Sequence, residues 1–190
     1  MRFLLTICAL AALAGCQKPA EQPAANQESG AVAETSGIKG LHRSNKGKPA
    51  PEATFKDPDG EDITLANFKG KPVLVNLWAS WCAPCVKELP TLDQLSRSQP
   101  GLEIAAVSQD MGPHASVVAF LEQHKIANLE PYQDPKMALS GGLGVEVMPT
   151  SVLYDAQGRE VWRYVGELDW TGPEAAKLLT EAGAGAPTKD

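Results

Sequence analysis

The stretch Val75-Asn76-Leu77-Trp78-Ala79-Ser80-Trp81-Cys82-Ala83-Pro84-Cys85 sets two cysteines, three positions apart, where an apolar run gives way to helical spacing. Val73 to Leu77 is β-branched and nearly continuously apolar, the pattern of a central strand buried on both faces. Beyond Cys85, Val86, Leu89, Leu92 and Leu95 recur at intervals of three, which predicts a helix with one apolar stripe. Pro84 falls in its first turn, where a missing N–H costs little, and Pro90 falls in its interior, where a kink is expected. A Cys pair at such a strand-to-helix junction is the signature of a dithiol redox centre. Unpaired N–H groups and the positive end of the macrodipole at the helix mouth favour a thiolate at Cys82, the attacking sulfur. Cys85, one turn in, is expected to be the more buried and to attack the mixed disulfide that Cys82 forms.

The flanking pattern predicts an α/β domain. Ala53-Thr54-Phe55 and Ile63-Thr64-Leu65 flank the turn-rich Asp57-Pro58-Asp59-Gly60, which predicts a small N-terminal hairpin. Ile104 to Val107 reads as a second buried strand, and Val117, Val118, Phe120 and Leu121 as a helix face. A connection through Asp134-Pro135 leads to a short helix from Met137, expected to stop at Gly141-Gly142. Ser151 to Tyr154 and Glu160 to Val165 form a second hairpin, and Ala175 to Glu181 a closing helix. Strands alternating with helices, then a hairpin and a helix, describe a mixed sheet covered on both faces.

Other chemistries fit the residues less well. Structural zinc needs four ligands, and no second Cys or His pair stands at suitable spacing, so no metal or other cofactor is assigned. The alternative to an enzyme is a binding module that uses Cys82 and Cys85 only to hold copper or a partner. His114 and His124, the histidines of the folded part, lie far from the motif that would recruit them as ligands. Trp162 and Trp170 read as core or rim aromatics. The formal net charge of -6 argues against nucleic acid as a partner.

The cysteine stretch resembles a thioredoxin-fold active site. Together with Glu88-Leu89-Pro90, Asp134-Pro135 and Leu143-Gly144-Val145-Glu146-Val147-Met148-Pro149-Thr150, it resembles the TlpA/ResA branch, over roughly residues 51–182. That resemblance implies membrane-tethered thiol–disulfide oxidoreductases facing the periplasm. Their protein disulfide substrates would be apocytochrome c or metal-site assembly proteins, and a membrane thiol donor would re-reduce them. It implies that Pro149 is a cis-proline packed against the Cys pair and that the Met148 backbone pairs with a substrate segment. Trp78 and Trp81 would be apolar walls, Trp81 toward the substrate. Glu88 would shape the titration of the thiols, being one helical turn beyond Cys85. Asn76 stands where cytoplasmic thioredoxins carry a buried Asp. An amide cannot accept a proton as that Asp does, which makes Glu88 the candidate proton acceptor.

The start of the chain carries a different signal. Met1-Arg2 and the apolar run Phe3 to Ala12 have the proportions of a secretory signal, too short to span a bilayer. The run ends in Leu13-Ala14-Gly15-Cys16, which resembles a bacterial lipobox. That resemblance implies cleavage before Cys16 and acylation of it, with several acyl chains giving stable anchoring. Gln17 leaves inner and outer membrane both open. Residues 16–50 are rich in Ala, Gln, Glu, Gly, Ser and Lys and read as a flexible tether. The expected organisation is a signal at 1–15, that tether, a thioredoxin-like domain at 51–183 and a disordered tail at 184–190.

Overall fold

The computed structural model describes residues 38–182. The expected signal, Cys16, the tether as far as residue 37 and the tail lie outside the described residues. Within them, eight strands form one mixed sheet: β1 Leu41–His42, β2 Phe55–Lys56, β3 Asp62–Ile63, β4 Val73–Trp78, β5 Glu103–Ser108, β6 Tyr132–Gln133, β7 Thr150–Tyr154 and β8 Glu160–Val165. Four α-helices accompany them: α1 Ala83–Ser98, α2 His114–Gln123, α3 Ala138–Leu143 and α4 Pro173–Leu179.

The strand order is β1-β8-β7-β4-β5-β6-β2-β3. β4 pairs in parallel with β5 and antiparallel with β7, so it is central, and all six of its residues are buried. Its pleat sends alternate side chains to opposite layers. Leu74 and Trp78 enter the core built with α1, α2 and α4, whereas Val73, Val75 and Leu77 pack with Leu139 and Leu143 of α3. By the same period of two, Asn76 faces α1. α1 in turn presents Cys85, Glu88, Leu89, Leu92 and Leu95 as its buried side and runs unbroken across Pro90.

The thioredoxin-like α/β architecture expected from the sequence is therefore present, with three local corrections. First, residues 38–50 are not tether but sheet edge. Leu41 and His42 pair with Tyr164 and Arg163, Pro49 bridges Arg159, and Gly47 N–H donates to the Glu160 carbonyl. The unpaired edge of β8 needs partners for its backbone groups, and this segment supplies them although it carries little apolar weight. Gly40 belongs to the same contact: its φ is 88°, and a Cβ there would stand 2.6 Å from the Val165 carbonyl oxygen. Second, the connection before Asp134 contains strand β6, too short to show a period. Third, α3 does not stop at Gly141-Gly142 but continues to Leu143 and ends on Gly144 at φ 64°. Gly142 is there for closeness, since a Cβ would meet the Pro51 side chain at 3.0 Å.

Candidate active site

At the end of β4 the chain turns sharply. The Trp78 carbonyl accepts from Gln109 N–H, and Cys82 N–H donates back to the Ala79 carbonyl, which sets Cys82 as the N-cap of α1. No side chain caps this helix, so its first amides and the positive end of its dipole are directed at the Cys82 sulfur. Cys82 and Cys85 are joined in a disulfide with Cα atoms 5.2 Å apart. Both are largely covered, Cys82 at 7% exposure and Cys85 at 1%.

The loop before Cys82 is clamped by a residue that the sequence does not point to. The Asp110 carboxylate accepts from Ser80 N–H at 2.9 Å and from the hydroxyls of Ser80 and Ser108, both at 2.8 Å. Its own loop is held from the other side by Gln133, whose amide donates to the carbonyls of Asp110 and Gly112. A Ser-x-Asp pair at the end of a strand is the only sequence trace of this arrangement. Large apolar side chains stand exposed next to these residues in the chain: Trp81, at 69%, follows Ser80, Met111 follows Asp110, and Val147 precedes Met148-Pro149. Trp78, expected as a second wall, is instead buried in the core that contains both cysteines and tilts against Phe120.

The helix-to-strand segment between α3 and β7 holds Met148-Pro149. The peptide bond between them is cis. The segment is tied at both ends: Arg163 donates to the Leu143 carbonyl while forming a bidentate pair with buried Glu160, and the Thr150 hydroxyl donates to the Val147 carbonyl at 2.7 Å. The Pro149 carbonyl accepts from Gly166 N–H.

Behind the disulfide lies a buried polar group. Glu88 is 2% exposed, three residues after Cys85 and so on the same helical face. Its Oε1 accepts from the Trp170 indole N–H at 2.5 Å and from Leu168 N–H at 3.2 Å; its Oε2 accepts from the Asn76 amide at 3.3 Å. Burial pushes its pKa from 4.5 up to about 7, against the pull of these three donors. The Asn76 amide also donates to Ser151, and its Oδ1 is buried with no partner among the described residues. Trp170, read from sequence as a core or rim aromatic, is buried but also bonds the carboxylate; nothing in the spacing could have shown that.

The remaining candidates stand elsewhere. A His114 ring nitrogen lies 2.7 Å from the Pro131 carbonyl, and His124 stacks on Phe120. Asp134 is a helix-start residue, accepting from the amides of Ala138 and Leu139. Among the described residues no cluster of His, Cys, Asp and Glu could hold a metal ion.

A thioredoxin-like sheet with a Cys-x-x-Cys helix start and a cis-proline loop defines a thiol–disulfide redox protein. Residues 45–179 match the Redoxin family model, and the chain belongs to that family. It is 36% identical over 123 residues to the thiol-disulfide oxidoreductase ResA of Bacillus thuringiensis (strain Al Hakam), covering 64% of this chain and 70% of that one. It is 34% identical over 143 residues to the thiol:disulfide interchange protein DsbE of Pseudomonas fluorescens biotype C, covering 72% and 79%. Among solved structures it resembles the exposed lipoprotein thioredoxin Etrx1 of Streptococcus pneumoniae strain TIGR4, at 25% identity and a TM-score of 0.57, covering 68% and 97%. The chain is a thiol–disulfide oxidoreductase of the ResA/DsbE type.

Proposed function

We propose that this oxidoreductase reduces protein disulfides outside the cytoplasm while anchored to a membrane through acylated Cys16. The observation that carries the reading is a helix-mouth disulfide with a buried carboxyl, Glu88, three residues beyond its inner cysteine on the same helix. In the reduced protein the Cys82 thiolate attacks a substrate disulfide, forming a Cys82–substrate bond and releasing the first substrate sulfur as a thiolate. Cys85 then gives its proton to Glu88 and its sulfur attacks Cys82. The Cys82–Cys85 bond forms, the Cys82–substrate bond breaks, and the second substrate sulfur leaves as a thiolate that takes up a proton. Two electrons pass from the protein to the substrate, leaving the disulfide seen here. A membrane dithiol donor returns them, because a space outside the cytoplasm is kept oxidising.

Glu88 suits the middle step because a general base works best with a pKa near the working pH. The Met148 backbone makes no hydrogen bond to another described residue, so it is available to pair with an extended substrate segment. Trp81 offers apolar contact beside it. Substrates of the cytochrome c maturation or metal-site assembly type fit this arrangement. For the anchor, support comes from the lipobox-like Leu13-Ala14-Gly15-Cys16 and from likeness to a lipoprotein thioredoxin. Among the described residues no helix is long and apolar enough to cross a membrane.

The direct test is a Cys85→Ser trap expressed in the native host. Protein partners joined through Cys82 support the reading, and the absence of any partner counts against protein substrates. Mass spectrometry of the mature amino terminus tests the anchor: an unmodified Cys16 rejects it.

A further inference from the structure

The segment between β8 and α4, Gly166 to Gly172, is fastened to the first turns of α1 at four points. Lys87 pairs with Glu167 at 2.5 Å, Leu168 N–H and the Trp170 indole both reach Glu88 Oε1, and Trp170 N–H donates to the Thr91 hydroxyl at 3.2 Å. That hydroxyl donates in turn to the Glu88 carbonyl at 2.8 Å. The Trp170 ring is held from outside by Trp162, nearly parallel at 14° with centroids 6.4 Å apart. Trp162 spends its own N–H on the Leu178 carbonyl at 3.1 Å. Two of the four fastenings thus end on one carboxylate oxygen, and both are donors.

We propose that Trp170 is a positioning residue for the reaction. Its indole N–H fixes the Glu88 carboxylate behind Cys85 and governs how firmly that carboxylate holds a proton. The inference rests on Glu88 being the group that takes the Cys85 proton. A buried carboxyl with no donors would stay protonated well above neutrality and could accept nothing. Donors to the ionised form oppose this, and the one at the shortest distance and deepest burial opposes it most. The other groups facing Glu88 are weaker or of the wrong kind, and the Leu168 N–H reaches the same oxygen only at the longer distance of 3.2 Å. Asn76 donates at 3.3 Å; Glu167 is itself acidic and raises the Glu88 pKa; Lys87 is occupied by Glu167 and is exposed; Tyr164 faces the carboxylate as a neutral phenol. The two cysteines carry no charge while joined in the disulfide.

The experiment follows the Glu88 side-chain carbon by NMR across pH in the oxidised full-length protein, where no thiol titrates and no turnover is needed. Trp170→Phe keeps an aromatic ring against Trp162 and removes the donor; its Glu88 midpoint is expected to rise by roughly one pH unit. Trp162→Phe removes an equivalent N–H from the same stack, but one that never reaches Glu88, and is expected to leave the midpoint in place. An unmoved midpoint in Trp170→Phe, or an equal shift in both variants, overturns the proposal. If Trp170→Phe fails to fold, benzothienylalanine at position 170, which keeps the ring shape and lacks the N–H, carries the same expectation. In the reduced protein, a one-unit rise predicts mixed-disulfide resolution about fivefold slower at pH 7 and recovered by pH 9. Normal resolution by Glu88→Gln would overturn the catalytic part of the proposal and the Glu88 reading together, whereas the titration alone decides whether Trp170 tunes the carboxyl.

Discussion

The two sides of the Cys82–Cys85 disulfide are built on opposite rules. On the outer side, large apolar groups stand in water: Trp81 and Met111 are exposed beside a loop held by Asp110, and Val147 is exposed next to the cis-proline segment. On the inner side, polar groups are buried: Glu88, Asn76 and Ser151 are linked between the sheet and α1, with an indole N–H closing the set. Each arrangement costs stability on its own, because exposed apolar surface and buried carboxyl both run against the ordinary partition of residues. Their placement on either face of one reactive bond separates two tasks. On the proposed reading, the outer face is the one that meets another chain, and the inner face is the one that handles a proton.

That division can be broken from several directions. The largest effect falls on the bond itself: Cys82→Ser is expected to reduce insulin reduction with dithiothreitol to the uncatalysed level. A residual rate well above background would mean that Cys85 can attack unaided, and the two sides would not be distinct.

Glu88→Gln comes next, read as stability rather than rate. A carboxyl whose pKa is raised by folding keeps its proton where the unfolded chain has released it. Folding stability therefore falls as pH rises from about 4.5 to about 7 and then levels, by roughly 3 kcal/mol in all. Glu88→Gln in the oxidised protein is expected to match the parent near pH 4 and to exceed it by about that amount at pH 8. An amide can use the same donors with its oxygen, and its NH2 has the unpartnered Asn76 Oδ1 to meet once that amide turns. Denaturant melts at the two pH values measure this; equal stability at pH 8 would show that burial does not disfavour the charge.

Asp110→Ala tests the support under the outer face. It leaves buried Ser108 and the Ser80 amide without their acceptor, so a loss of about 1–2 kcal/mol is expected in the same melts. Trp81→Ala is the mildest. With 69% of the residue already in water, stability should not change. The kcat/KM for a protein disulfide should fall a few-fold, while that for a small aromatic disulfide holds. Equal losses on both substrates would remove Trp81 from the docking face.

The outer face was legible in the sequence where it is made of neighbours in the chain. Trp81, Cys82, Pro84 and Cys85 fall in one run, and the apolar stretch before them and the helical spacing after them mark the junction where they stand. Glu88 was reached through the family resemblance, with its place one helical turn beyond Cys85 as support. The inner face closes through residues whose spacing says nothing. Trp170 lies 82 positions from Glu88 and looks like any core aromatic until its N–H is traced. The support of the outer face was hidden in the same way: Asp110 sits 30 positions from Ser80, in a loop whose composition suggests only a turn. The folded boundary was misplaced on similar grounds: residues 38–50 join the sheet by backbone bonding to β8, which amino-acid composition hardly records.

The measurement that tests the account most directly is single-turnover resolution of a Cys82–substrate mixed disulfide followed across pH by stopped flow. If Glu88 takes the Cys85 proton, the rate rises through a midpoint near 7 in the parent protein. In Glu88→Gln that inflection should disappear and the rate above it should fall by about a hundredfold, the low end for loss of a positioned general base. A Glu88→Gln profile that overlays the parent would contradict the claim that the buried carboxyl takes the Cys85 proton.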